Sequence, residues 1–195
     1  MKQYSSACDQ NKYVILDVLT HEFAKSANIL EVGSGTGQHA VFFAKQLPHL
    51  NWQSSDQVEN LASIHAYTDE AKLSNLRPAI ELDVTQNWPK QQFDGVFSAN
   101  TTHIMSWPMV IDFFTGVSEC LTPKGRFVLY GPFNYNGQYT SQSNEQFDAW
   151  LKAQNPQSAI RDFEALDQLA QSLGLSLVQD YQMPANNHIL VWQKS

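Results

Sequence analysis

The chain has 195 residues, a formal net charge of −7 and 43% apolar residues, which favours a single globular domain over residues 1–195. The acidic excess argues against a nucleic-acid partner, because such a partner normally requires a basic face. No apolar run approaches the roughly 20 residues of a membrane span, and the N-terminus lacks a signal-sequence pattern. The two cysteines lie far apart, which predicts reduced thiols, no metal site and a cytoplasmic location.

The first predicted helix covers residues 7–23, where apolar residues recur at helical spacing. In an α/β fold with a cofactor cleft, the first helix of the chain can fold over that cleft. Tyr4, Asn11 and Lys12 are therefore candidate substrate contacts. The alternative is that they are surface residues ahead of and on the helix.

A glycine-rich stretch joins a predicted strand at 27–32 to a predicted helix at 38–46. Strand, glycine turn and helix together aim backbone N–H groups and a helix N-terminus at a ligand. A dinucleotide fingerprint would need glycine or alanine where Gln38 stands, and a P-loop would need a lysine that is missing. The pattern E-x-G-x-G-x-G resembles the first motif of class I S-adenosylmethionine (SAM)-dependent methyltransferases, and an unliganded glycine turn is the alternative. The predicted cofactor contacts are Glu31, Gly33, Ser34, Gly35, Thr36 and Gly37.

Two further strands, predicted at 50–55 and 79–82, are each followed by an aspartate. Asp56 lies about 20 residues beyond the glycine loop, where a strand-end acid hydrogen-bonds ribose hydroxyls, and Gln57 is included with it as a cofactor contact. In the methyltransferase pattern, Asp83 accepts from the adenine amine and the backbone N–H of Val84 donates to the ring. Each aspartate alone is equally well explained as a capping or turn residue. At the ends of successive parallel strands, however, they are expected to meet in one crevice.

The fourth predicted strand, 93–100, continues into Asn100-Thr-Thr-His103. Methyltransferases acting on exocyclic amines of DNA bases carry a proline pair here, and this chain does not. We predict that Asn100 contacts the methionine end of the cofactor and takes part in catalysis. His103 is the candidate general base because an unperturbed histidine has a pKa of about 6.5; a structural or substrate-positioning histidine is the alternative. Trp107 is predicted as an apolar wall beside the sulfonium, with plain packing as the alternative.

An aromatic, amide-rich segment follows the fifth predicted strand, 126–130, and lacks periodicity over its first ten residues. Such loops are usually functional or disordered, and its aromatic residues argue against disorder. Ser143-x-x-Gln146 matches a capping box and predicts the start of a helix. We predict a substrate lid over about 131–155, with Tyr130, Asn134 and Asn144 as polar contacts. An insertion that packs on itself is the alternative.

The chain ends in a helix stopped at Gly174 and two strands, 175–181 and 188–193, joined closely enough to be antiparallel neighbours. An antiparallel hairpin of this kind is characteristic of class I methyltransferases and absent from the ordinary dinucleotide fold. The predicted fold is therefore α/β: a doubly wound, mostly parallel seven-stranded sheet with a C-terminal antiparallel strand, Rossmann-like.

Several stretches extend the resemblance over nearly the whole chain: 8–12, 98–107, 130–133, 137–148, 160–162 and 184–187. Together they resemble the small methyltransferase-like 26 family, single-domain proteins of unknown substrate. The resemblance implies a SAM-binding fold but no reaction. Gln10 stands where the family's arginine is expected, so no charge role at that position carries over.

These patterns predict SAM-dependent methyl transfer to a small-molecule acceptor, with S-adenosylhomocysteine as the product. Two alternatives remain open: an aminopropyl-type transferase on the same fold, and a non-catalytic cofactor-binding or partner protein. The sequence leaves open the oligomeric state, the identity of the acceptor, and the choice between O-, N- and S-transfer.

Overall fold

A computed structural model describes residues 2–86 and 88–195. Met1 and Asn87 of the predicted domain lie outside the described residues. The helices are α1 (Ser6–Glu22), α2 (Gln38–Gln46), α3 (Val58–Ala71), α4 (Trp107–Cys120), α5 (Gln142–Gln154) and α6 (Phe163–Ser172). The strands are β1 (Asn28–Val32), β2 (Asn51–Asp56), β3 (Leu76–Glu81), β4 (Phe93–Ala99), β5 (Leu121–Gly131), β6 (Phe133–Asn134), β7 (Arg161–Asp162), β8 (Leu175–Met183) and β9 (Asn187–Lys194).

Seven strands form one sheet in the order β3-β2-β1-β4-β5-β9-β8. Strands β1 to β5 pair in parallel, whereas β9 is antiparallel to both of its neighbours. The predicted doubly wound, mostly parallel sheet with one antiparallel strand is confirmed. The strand order reverses between β1 and β4, and in open α/β sheets ligands bind at the carboxyl ends of the strands beside such a switch point. Across the described residues, no helix combines the length and apolarity needed to cross a bilayer.

Two local predictions were wrong. The fifth strand was predicted to begin at residue 126, but β5 already begins at Leu121, and its pairing with β4 shifts register between Phe93 and Gly95. The capping residue of α5 is Ser141 rather than Ser143: the Ser141 side chain accepts from the backbone N–H of Asn144. In both cases tertiary pairing or a second nearby serine overrode a short local signal.

Hydrophobic side chains fill both faces of the sheet. One face packs against α4 and α6, and its largest fully buried side chains are Phe93, Phe113, Phe114, Phe127, Phe133 and Trp192. The other face packs against α1 and α2, around Ile15, Leu19, Phe43, Trp52 and Phe97. Burying each such side chain contributes about 1.5–3 kcal/mol. The two layers hold the strand ends, and the loops beyond them, in fixed positions.

Gly116 on α4 provides a test of this packing. A Cβ built at Gly116 would lie 1.9 Å from Cε2 of Trp88, so Gly116→Ala should destabilise the fold by about 1–3 kcal/mol through overpacking. Urea unfolding measures the change, with Glu119→Ala, at an exposed position of the same helix, as the control. In an unhindered helix alanine would stabilise by about 0.5–1 kcal/mol, so a gain in stability would contradict the packing described.

Candidate active site

Two adjoining cavities lie where the parallel strands end. The glycine-loop cavity, of about 500 Å³, is lined by residues of the β1–α2 loop, the ends of β2 and β3, and the segment after β4. The amide cavity, of about 680 Å³, is lined by residues of α1, the segment after β4, α5 and the β8–β9 turn. Ala7 and Asn100 line both cavities. The sheet's switch point therefore presents two compartments with a common boundary.

The glycine loop is fixed to β2 by backbone hydrogen bonds. The N–H groups of Gly33 and Ser34 both donate to the Ser55 carbonyl, each at 3.0 Å. Gly35 has a φ of +56°, and a Cβ built there would meet nothing within 4 Å, so the loop leaves space on the side of the cavity that it lines. Thr36 lines the same cavity.

Gly37 has a different environment from the rest of the loop. It has a φ of +94° and caps α2, and a Cβ there would lie 2.9 Å from Cα of Ile64 on α3. Gly37 is absent from the cavity lining. The close contact between α2 and α3 therefore explains why residue 37 is a glycine. The predicted contact with a cofactor is not needed to explain it.

Asp56 forms hydrogen bonds with both the glycine loop and the start of α3. Its Oδ2 accepts from the N–H of Gly35 at 2.6 Å, and its Oδ1 accepts from the N–H of Gln57 at 2.7 Å and from Asn60 Nδ2 at 2.9 Å. Asp56, Gln57 and Asn60 all line the glycine-loop cavity. Asn60 was missed from the sequence because a lone asparagine in the first turn of a helix has no distinguishing pattern.

The other two strand-end acids do not line the cavity. Glu31 is buried, its Oε2 accepts from Trp52 Nε1 at 3.0 Å, and burial raises the pKa of its carboxyl to about 7. Asp83 Oδ1 accepts from the N–H and the hydroxyl of Thr85, at 2.9 and 2.8 Å, in a local turn. At that strand end Leu82 and Val84 line the cavity.

Asn100 follows β4 in the left-handed conformation, with a φ of +60°, which asparagine tolerates better than most residues. Its N–H donates to the Tyr130 carbonyl at 2.9 Å, which holds it against the end of β5. Met105, two residues before the start of α4, lines the glycine-loop cavity together with Met109. Trp107 lines neither cavity and packs against the α4 side of the core.

His103 lines the amide cavity and is only 6% exposed. Burial, with a smaller effect of the Arg161 charge, lowers the pKa of its imidazole to about 4, so the ring is neutral at physiological pH. Its Nδ1 is buried and has no hydrogen-bond partner in the part of the chain that the structure describes. The ring lies edge-on to Phe147 of α5, with ring centroids 5.2 Å apart. The sequence argument assumed an unperturbed pKa, which burial overturns.

Arg161 fixes the segment that carries His103. Its guanidinium donates to the carbonyls of Thr102 at 3.3 Å, of Gln157 at 2.8 Å, and of Met105. The N–H of Ala159 donates to the His103 carbonyl at 3.0 Å. Sequence reasoning missed this role, because the partners are backbone carbonyls, two of them more than fifty residues away, and backbone acceptors leave no sequence signature.

Three of the predicted substrate contacts, Asn11, Tyr130 and Asn144, line the amide cavity. Asn11 Oδ1 lies 2.8 Å from His39 Nε2, whose ring is kept neutral because burial lowers its pKa to about 4. Burial raises the pKa of the Tyr130 hydroxyl, and the neighbouring Asn11 side chain partly offsets this rise. Gln10, Phe147 and Asn187 line the same cavity and were not predicted.

Tyr4, Lys12 and Asn134 do not line the amide cavity. The Tyr4 hydroxyl and Lys12 Nζ both donate to the Asp9 carboxylate, each at 2.6 Å, and form a cluster of their own. Asn134 lies in β6, and its Oδ1 is buried without a partner among the described residues. Amphipathic spacing alone could not tell which face of α1 would meet the cavity.

The 131–155 segment lies against the rest of the protein through specific polar contacts. Asn144 Nδ2 donates to Thr140 Oγ1 at 2.9 Å and to the Asn186 carbonyl in the β8–β9 turn at 3.1 Å. Asp148 is buried and accepts from the Tyr139 hydroxyl, from Lys152 and from the N–H of Ile160. Ser143, Asn144 and Phe147 of this segment line the amide cavity. Its function as a substrate lid remains a prediction.

Residues 2–194 match the model of a family described as "Protein of unknown function (DUF938)". The chain belongs to the DUF938 family. The family description assigns no activity to its members.

The DUF938 chain is similar in fold to solved methyltransferase structures. An O-methyltransferase family protein from Burkholderia thailandensis aligns with a TM-score of 0.85 and 13% identity, over 97% of this chain and 57% of that one. Human N-acetylserotonin methyltransferase in complex with SAM aligns with a TM-score of 0.83 and 13% identity, over 97% and 53%. The SAM-dependent methyltransferase SibL aligns with a TM-score of 0.82 and 19% identity, over 96% and 55%. The predicted class I methyltransferase fold is confirmed, and the chain spans little more than half the length of these relatives.

Glu31 predicts a pH dependence of stability. Its folded pKa of about 7 lies above the ordinary value of 4.5, so the folded state binds more protons than the unfolded chain between these values, and stability falls as the pH rises through that window. Glu31→Gln removes this loss while keeping an oxygen for Trp52. The variant should match the parent near about pH 5 and be more stable by up to about 3 kcal/mol near about pH 8.

Urea unfolding of the cofactor-free protein at both pH values measures this difference. Glu81→Gln, at an exposed strand end, is the control for removing a carboxylate. A stability difference between Glu31→Gln and the parent that is the same at both pH values would contradict the burial argument.

Proposed function

We propose that this DUF938 protein is a SAM-dependent methyltransferase that acts on a small molecule. The observation that carries the proposal is the pair of cavities at the switch point, one formed by the glycine loop and Asp56, the other containing His103, with Asn100 on their common boundary. A methyl transfer needs two binding compartments that meet at the transferred group. The sequence resemblance to the methyltransferase-like 26 family supports the SAM-binding part of this proposal.

The glycine-loop cavity fits SAM in its chemistry. Asp56 offers a carboxylate at a strand end, the position suited to ribose hydroxyls. Apolar side chains of Leu82, Val84 and Met109 offer a surface for an adenine ring, and Gly35 leaves space beside the loop. SAM, when bound, supplies an electrophilic methyl group on a positively charged sulfur. Glu31, Gly37 and Asp83 would act on the cofactor only indirectly, through the loops that they support.

Catalysis by this site would rest mainly on orientation of the acceptor. Asn100 would contact the methionine end of the cofactor and separate it from the amide cavity. His103, which is neutral and lines the amide cavity, would accept the proton of the acceptor on its imidazole. The 131–155 segment would cover the acceptor and exclude water through Phe147 and Asn144.

The two alternative functions make different demands. An aminopropyl transferase would bind a cationic polyamine, and none of the described residues that line the amide cavity is acidic. A non-catalytic cofactor-binding protein would retain SAM affinity without turnover.

The cytoplasmic location and the absence of a nucleic-acid partner remain predictions from composition.

Calorimetric titration with SAM, S-adenosylhomocysteine and NAD in parallel tests the proposal. Micromolar binding of both sulfur compounds, about −8 kcal/mol, with no heat from NAD, is the expected result. If neither sulfur compound binds, the proposed cofactor is wrong and the fold has another use.

Asp56→Asn should weaken binding of S-adenosylhomocysteine by about 1–3 kcal/mol, a tenfold loss or more. The substitution keeps the side chain's shape but removes the charged acceptor for ribose hydroxyls. Asp69→Asn, at an exposed position of α3, is the matched control. Equal affinities of the two variants, with folding verified by thermal melting, would exclude Asp56 as a cofactor contact.

His103→Gln should lower kcat by about 10²–10⁴-fold, the usual contribution of a general base, while the affinity for S-adenosylhomocysteine stays unchanged. Release of S-adenosylhomocysteine in the presence of an active acceptor provides the rate. His65→Gln, at an exposed position of α3, is the control. An unchanged kcat would leave His103 with a structural role only.

A further inference from the structure

We propose that the amide cavity binds an uncharged small molecule whose methyl-accepting group is a hydroxyl. This inference rests on the proposed function and names the substrate class of the same site. Charge, hydrogen-bond direction and the state of His103 support it separately.

The first argument is the charge of the lining. None of the described residues that line the amide cavity is formally charged; its polar lining residues besides His103 and Tyr130 are Gln10, Asn11, Asn100, Ser143, Asn144 and Asn187. An ionised acceptor would lose its hydration there without gaining a counter-ion, which is a large cost. The lining therefore selects against carboxylates, phosphates and ammonium groups.

Charged side chains near the cavity are already occupied elsewhere. Arg161, beside His103, is bound to backbone carbonyls. On α5, Lys152 pairs with Asp148 at 2.6 Å. On α1, Lys12 pairs with Asp9 at 2.6 Å. A bound ion would have to compete with these contacts.

The hydrogen bonds already made by the lining define what a ligand must offer. Both side-chain hydrogen bonds of Asn144 use its Nδ2 as donor, to Thr140 and to the Asn186 carbonyl, so its Oδ1 remains as an acceptor. Tyr130 lines the same cavity, and its hydroxyl proton is available to donate. A matching ligand offers one hydrogen-bond donor to Asn144 Oδ1 and one acceptor to the Tyr130 hydroxyl. An uncharged carboxamide has both.

The neutral side chain of His103 favours a hydroxyl oxygen as the methyl-accepting atom. As the acceptor oxygen bonds to the methyl carbon, that carbon leaves the sulfonium sulfur, which becomes a neutral thioether. The acceptor O–H bond would break, and its proton would pass to the imidazole of His103, which lines the cavity, and from there to solvent. An amine acceptor would enter mostly as an ammonium ion at neutral pH, and none of the described lining residues is a carboxylate that would hold it.

The apolar part of the lining suits a flat ring. Val14, Pro132, Phe147 and Pro184 surround a volume of about 680 Å³, enough for a small aromatic compound. Three fragments with the same phenol but different charge therefore test the inference: meta-hydroxybenzamide (neutral), meta-hydroxybenzoate (anion) and meta-hydroxybenzylamine (cation).

Ligand-observed NMR titration of the three fragments, on protein saturated with S-adenosylhomocysteine, measures their affinities. We expect the amide to bind at least about tenfold more tightly than either ion, because only the ions lose hydration without a partner. Methyl transfer to the phenol, followed by mass spectrometry with SAM, should show the same order. Binding of either ion as tight as that of the amide would overturn the inference, as would no binding of any fragment.

Charge swaps at Gln10, which lines the cavity and is exposed at its rim, show whether binding occurs in this cavity. Gln10→Lys should raise the affinity for meta-hydroxybenzoate relative to that for meta-hydroxybenzamide. Gln10→Glu should raise the affinity for meta-hydroxybenzylamine relative to that for the amide. Gln154→Lys and Gln154→Glu, at an exposed position on α5 outside the lining, are the matched controls. Equal effects at Gln10 and Gln154 would place the fragments elsewhere and overturn the inference.

The two proposals fail in distinguishable ways. Loss of the proposed function appears as no binding of SAM or S-adenosylhomocysteine by calorimetry, before any fragment is added. If the cofactor binds but the fragment order is wrong, the methyltransferase proposal stands and only the acceptor class is rejected.

Discussion

The site depends on how the backbone carbonyls after β4 are satisfied. This segment leaves the sheet at Asn100 and runs beside both cavities, so its carbonyls need donors that water cannot supply inside the fold. Arg161 binds the carbonyls of Thr102 and Met105, and the N–H of Ala159 binds that of His103. The guanidinium of Arg161, which lies in β7 just before α6, thereby fixes the position of His103 and the shape of the boundary between the cavities. These hydrogen bonds hold the backbone on both sides of His103 and thereby orient the residue.

Burial sets the protonation states at the site more strongly than neighbouring charges do. The imidazoles of His39 and His103 are both neutral because burial lowers each pKa to about 4. Glu31 retains protons to higher pH for the same reason. Under the proposed function, hydrogen-bond direction rather than charge would be the means of recognition around the amide cavity. In the glycine-loop cavity the Asp56 carboxylate accepts three N–H hydrogen bonds at the strand end, and one of its about four acceptor positions is left for a ribose hydroxyl.

Much of the fold and part of the site were predictable because they rest on local patterns. The glycine loop, the strand-end aspartate Asp56 and the order of helices and strands follow from apolar periodicity and glycine spacing. Of the residues predicted as cofactor contacts, eight line the glycine-loop cavity: Gly33, Ser34, Gly35, Thr36, Asp56, Gln57, Val84 and Asn100. Glu31, Gly37 and Asp83 do not line it, because sequence spacing cannot distinguish a glycine or acid that faces a cleft from one that supports the surrounding packing or a turn. The roles of all these residues remain predictions until a ligand is bound.

The sequence by itself determined the class of the fold, the place of the glycine loop and the edge of the sheet where that loop lies. These properties depend on residues close together along the chain, where backbone geometry links pattern to structure. Only the tertiary structure decided that Asn11, Tyr130, Asn144 and His103 line one cavity while Tyr4, Lys12, Trp107 and Asn134 do not. It also decided the neutral state of His103 and the role of Arg161. Such properties depend on which distant groups exclude water from one another, and burial of that kind is a property of the packed molecule that no local spacing encodes.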